Sequence, residues 1–118
     1  MEIEDRTFSD EYSRHWMALM AAQQDFMRAM HRHIAEDPTP RHFRNAKRAF
    51  KMLSRAMQRC DAYIEKTTDD IEGQILAHFL TERAMPFMAF WQRLIDTAES
   101  GREVRFKASD IPPWTDDD

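Results

Sequence analysis

A heptad seam runs through the stretch from about Thr39 to about Lys66 and constrains the chain more than any other feature. Apolar residues fall at Phe43, Ala46, Phe50, Leu53, Met57, Cys60 and Ile64, a 3-4-3-4-3-4 spacing that only a long helix brings onto one face. On a wheel of 100° per residue, Arg41, Arg44, Arg48, Lys51, Arg55 and Arg59 lie opposite that seam within an arc of roughly 80°. Residues 41–59 hold seven Lys or Arg and no Asp or Glu. One face of this helix suits a core and the other suits negative charge.

The two flanks of the helix predict their own helices. Upstream, Ser9 reads as an N-cap, with Asp10 and Glu11 in the first turn and Phe8 as an apolar staple before it. The apolar set Tyr12, Trp16, Leu19, Met20, Phe26, Met27, Met30 and Ile34 follows, and Pro38 ends the helix near Ala35–Glu36. The connection Asp37-Pro38-Thr39-Pro40 is short, so the first two helices are expected to be antiparallel. Downstream, Thr67 and Asp70 stand at capping-box spacing, and a third helix is expected from about Asp69 to a stop at Gly101. Pro86 interrupts it, and a kink is expected there rather than a break, since no polar loop surrounds the proline.

The expected fold is therefore all-α: an antiparallel bundle of three long helices, the third kinked or split at Pro86, over residues 1–101. Residues 102–118 are expected to form an extended C-terminal tail. Val104 and Phe106 alternate with charges there, but one short strand has no second strand to pair with, and Ile111-Pro112-Pro113-Trp114 reads as an exposed end. No apolar run approaches the ~20 residues needed to cross a bilayer. The acidic N-terminus lacks the basic and apolar regions of a signal peptide, so cytoplasmic residence with no membrane partner is expected.

The net charge of −4 conceals a segregation of sign, with +7 on residues 41–59 and acidic excess on both sides. A face optimised only for solubility would intersperse acids, because like charges at i,i+3 and i,i+4 repel. Nor can the flanking acids readily neutralise the stripe, since it points away from the face that meets neighbouring helices. Five of its six cations are arginine, whose planar fork suits phosphate and carboxylate alike. No helix-turn-helix glycine turn, zinc-finger spacing or ribonucleoprotein aromatic motif accompanies the stripe, which argues against base-specific readout.

Other chemistry finds little footing. Glu11 with His15, and His78 with Glu82, stand four apart on helices, but the Glu and His three apart of a carboxylate-bridged diiron site are missing. No metal and no cofactor are expected. Cys60 sits in the seam, Ser9 and Ser54 have no evident base, and two glycines cannot build a phosphate loop. The chain is expected not to be an enzyme. Met17, Leu19, Met20, Met27 and Met30 cover more than half of the first helix, and Ala49, Met52, Ala56 and Tyr63 widen the apolar arc of the second. Three helices bury less than that, so a homo-oligomer or a subunit of a larger assembly is expected. The favoured function is non-catalytic binding of a polyanion through the six stripe residues, foremost the nucleic-acid backbone without base specificity. The alternative is a protein–protein interaction adaptor or inhibitor that meets an acidic protein surface.

Overall fold

The computed structural model describes residues 8–33 and 40–115. Its regular structure is all helical, with no strand among the described residues. Helix α1 spans Asp10–His31, α2 Pro40–Lys66, α3 Ile71–Phe79 and α4 Met85–Glu99, the last two joined by a π-helical turn over Leu80–Ala84. The chain divides into two compact units, residues 1–74 and 75–118.

In the first unit α1 starts where its sequence signals place it. Ser9 is the N-cap, its hydroxyl accepting from Tyr12 N–H at 3.2 Å, and Phe8 stacks on the Tyr12 ring at 4.8 Å. The expected end of this helix near Ala35–Glu36, the connection Asp37–Thr39 and the Thr39 cap lie outside the described residues. Contacts of α1, and of the turn that follows it, with α2 bring Tyr12 to Tyr63, Cys60 Sγ to the His15 carbonyl at 4.0 Å, Phe26 to Phe50, and His33 to Phe43.

The buried face of α2 is turned slightly from the seam. Ala46, Phe50, Leu53 and Cys60 are buried as the heptad predicts, but so are Ala56 and Tyr63, whereas Phe43, Met57 and Ile64 are only half-buried. The apolar arc is wider than one helix partner can cover, and the protein buries the half that carries Tyr63.

The junction after α2 corrects one expectation. Thr67 and Asp70 do not form a capping box. The Thr67 hydroxyl donates instead to the Tyr63 carbonyl at 2.8 Å, satisfying one of the orphan acceptors at the end of α2. Asp70 caps α3, its carboxylate accepting from Glu72 N–H at 3.1 Å, while the Thr67 and Asp70 N–H groups go to the carbonyls of Ile64 and Thr67. The turn is tight enough that a Cβ on Gly73 would collide with the carbonyl oxygen and hydroxyl of Thr67, so a residue without a side chain is required there.

In the second unit the helix passes Pro86 without a break. Pro86 has no N–H to return to the carbonyl four residues back, and the preceding turn widens so that Met85 N–H bonds to Leu80 C=O, five residues back. Gly101 adopts φ +81° and closes α4 in a Schellman arrangement, with Gly101 N–H on Ala98 C=O and Arg102 N–H on Thr97 C=O. The segment that follows is not an exposed end. Phe106 packs edge-on against Phe90 and Trp91, and Trp114 is only 3% exposed, set edge-on against Phe79 and Phe87. Two aromatic anchors bury enough apolar area to hold an otherwise extended segment against α4 and the end of α3.

Candidate functional site

All six stripe residues, Arg41, Arg44, Arg48, Lys51, Arg55 and Arg59, are exposed on α2. A helix rise of 1.5 Å per residue spreads them over roughly 27 Å. None of the six makes an ion pair among the described residues. Asp25, which shares a groove with Arg48 and Arg59, pairs instead with Arg28 at 3.6 Å, and Glu11 of the same helix lies 3.6 Å from Lys66 and 4.0 Å from His15. Among the described residues, the one polar contact of the stripe is Arg55 Nη1 on the sulfur of Met52 at 3.9 Å. The positive end of the α2 dipole lies beside Arg41 and Arg44, and no acid in the first turn offsets it.

Lys47, the seventh cation of the stretch, stands apart. It is half-buried, its ammonium 5.0 Å from the centre of the Phe43 ring, on the edge of the stripe beside Lys51 and toward the Phe43 side of the helix.

One flank of the stripe borders an open groove between α1 and α2 of about 440 Å³. Ala18, Ala21 and Ala22 of α1 and Ala49 of α2 form its floor, with Met52 beside them, and Arg48 and Arg59 belong both to the stripe and to the groove wall. The groove exists because the α2 face toward Tyr63 is the buried one, which rotates Ala49 and Met52 toward α1 and leaves alanines where larger side chains would close the gap. Met52 is 47% exposed and Met17, on the neighbouring surface of α1, 70%.

No family model matches the chain, and no curated protein or solved structure does either.

The remaining candidates sort by their surroundings. His15 lies near Glu11 and tilts against the Tyr63 ring at 4.8 Å, and His78 and Glu82 are both exposed. Among the described residues no group of three or more His, Cys, Asp or Glu converges as metal ligands would. Burial lowers the His33 imidazole below its usual range, and nearby His42 lowers it further. Burial, with Asp61 next to it, pushes the Cys60 thiol up to about 11, so thiolate is scarce at neutral pH. Cys60 is accordingly expected to react with a disulfide reagent at pH 8 at least about a hundredfold more slowly in the native protein than in urea. Equal rates in the two states would show that the seam opens at Cys60.

A polar cluster that no local pattern reveals joins three elements of the first unit. Glu72, only 4% exposed, accepts from Ser9 N–H at 3.1 Å, from the Ser9 hydroxyl at 2.7 Å and from the Tyr63 hydroxyl at 3.0 Å. Burial, reinforced by the neighbouring Glu72 carboxylate, pushes the Tyr63 hydroxyl above its usual range, so it remains a donor at any physiological pH. This cluster positions α2 rather than serving as a site itself.

Proposed function

We propose that the chain is a non-catalytic binding protein whose α2 stripe grips a polyanion, foremost the phosphate backbone of RNA or DNA without base specificity. What carries this reading is that six cations on one rigid helix are exposed and make no ion pair among the described residues. Leaving so much like charge on one face destabilises the helix slightly and gains nothing for the fold. A bound polyanion offsets that repulsion and releases counterions. A helix presenting cations at 3–4-residue intervals meets phosphates as point contacts along a line, which positions without reading sequence.

The reading takes α1 and α2 as antiparallel, supported by contacts in which residue numbers rise along α1 while they fall along α2. It also takes the protein to act as a dimer or as a subunit of a larger assembly, because exposed Met17 and Met52 are adaptable contact surface and one stripe on an acidic protein binds weakly alone. Cytoplasmic residence belongs to the same reading. No helix among the described residues is long and apolar enough to cross a membrane.

The test is electrophoretic retardation of single- and double-stranded oligonucleotides of unrelated sequence at about 50 mM salt. Retardation of all of them is expected, with a slope of log affinity against log salt of about −5 on duplex DNA if six phosphates are neutralised. No retardation under these conditions overturns the nucleic-acid reading. The second reading, an adaptor or inhibitor bound to an acidic protein surface, is favoured by a different observation: the alanine-floored groove on the flank of the stripe.

A further inference from the structure

We infer that the groove between α1 and α2 receives an acidic amphipathic helix of a partner protein, its apolar side chains on the alanine floor and its carboxylates on Arg48 and Arg59. The inference rests on the adaptor reading and gives the partner's chemistry.

Three observations lead to it. The floor is Ala18, Ala21, Ala22 and Ala49, so a backbone can approach closely and a branched or aromatic side chain finds room between the two helices. A phosphate backbone gains nothing from such a floor, whereas an apolar anchor does, each one that is fully buried being worth about ten- to a hundredfold in affinity. The walls are charged with one dominant sign. Arg48 and Arg59 border the groove without ion pairs among the described residues, while Asp25, its one acid, is already paired with Arg28 at 3.6 Å.

The same charge decides between occupants. A second copy laid on this face by a two-fold axis would set its own Arg48 and Arg59 against these, and like charges brought together in a closing interface repel. A helix with apolar residues at i, i+4 and i+7 and acids on its flanks complements both floor and wall, the usual form of helix-in-groove recognition. The groove extends along α2 from Asn45 to Arg59, roughly 20 Å at the helical rise, which three or four turns of a partner helix would fill. Because Arg48 and Arg59 also belong to the stripe, a partner seated here withdraws two of the six cations from any nucleic acid.

The test uses a fluorescein-labelled peptide of about 15 residues, with leucines at i, i+4 and i+7 and glutamates on both sides of them. Binding is followed by anisotropy at about 50 mM salt, with the full chain and with Ala21→Trp. Ala21 is exposed, so the indole fills the groove without entering the core, and an unchanged melting temperature checks that the variant folds. Ala18→Leu, also at an exposed position, serves as a second groove-filling variant. The expected result is binding that weakens at least about tenfold in both variants while oligonucleotide retardation stays unchanged. Binding unaltered by either variant overturns the groove and leaves the adaptor reading standing on the stripe alone. No binding of the peptide to the full chain overturns both.

Discussion

Reversing four cations, Arg44→Glu, Arg48→Glu, Lys51→Glu and Arg55→Glu together, is expected to abolish oligonucleotide retardation at about 50 mM salt, a loss of more than about a hundredfold. Each reversal removes a contact and places a carboxylate where a phosphate would lie. Four of them take the net charge of the chain from −4 to −12. Only Arg41 and Arg59 remain, at opposite ends of the stripe, too far apart to support one another. The loss is attributable to charge and not to unfolding, because all four side chains are exposed and Glu matches Arg and Lys in helix propensity. The i,i+4 repulsion among four glutamates replaces that among four cations, so the melting temperature should move by no more than a few degrees. A graded version sharpens the result. Single Arg→Gln changes along the stripe should each lower the salt slope by about one, uniformly across sequences, as phosphate contacts do. Retardation undiminished in the fourfold variant would show that the stripe is a solvated face and that any nucleic-acid affinity lies elsewhere.

How far such a site can be read from the chain depends on the range of the interactions that make it. The stripe and the existence of α2 were legible because both follow from spacing within one element: cations and apolar residues recur at helical intervals whatever the rest of the protein does. The Ser9 cap and the Gly101 stop were legible for the same reason, being local hydrogen-bond and φ requirements. Which part of the wide apolar arc of α2 is buried was not, since Met57 and Ile64 compete with Ala56 and Tyr63 on nearly equal hydrophobic terms. The contacts of Tyr63 with Tyr12, His15 and Glu72 accompany the choice actually made. The groove depends on that rotation and could not be anticipated without it. Trp114 was misread for a related reason: prolines and terminal aspartates mark an extended backbone, but whether an aromatic on it finds a socket depends on Phe79 and Phe87, far back in the sequence.

Glu72→Ala is expected to lower the stability of the protein by about 3 kcal/mol and its melting temperature by roughly 10 °C. The carboxylate accepts from the backbone N–H and hydroxyl of Ser9 and from the hydroxyl of Tyr63, tying the first turn of α1 to the last turns of α2 at the start of α3. Hydrogen bonds to a charged acceptor contribute about 1.5–3 kcal/mol each, offset in part by the cost of burying the carboxylate, and removing the acceptor leaves the buried Tyr63 hydroxyl short of a partner while the donors of exposed Ser9 turn to water. The distribution of the loss distinguishes a network from one dominant contact. Tyr63→Phe removes one donor and should cost about 1 kcal/mol, and Ser9→Ala removes a donor together with the Tyr12 cap and should cost about 1–2 kcal/mol. Adding either change to Glu72→Ala should then cost markedly less than it does alone, the signature of residues that share one partner. Full additivity in chemical denaturation would mean that Glu72 acts alone and that Ser9 and Tyr63 are held by packing. The network also bears on the stripe. Tyr63 sits on the buried arc of α2 a little more than one turn past Arg59, so losing its anchor frees the end of that helix. Because Arg59 lies nearest that end and Arg44 a further four turns away, Glu72→Ala should weaken anion contacts at Arg59 before those at Arg44, and oligonucleotide affinity should fall by less than the fourfold reversal removes.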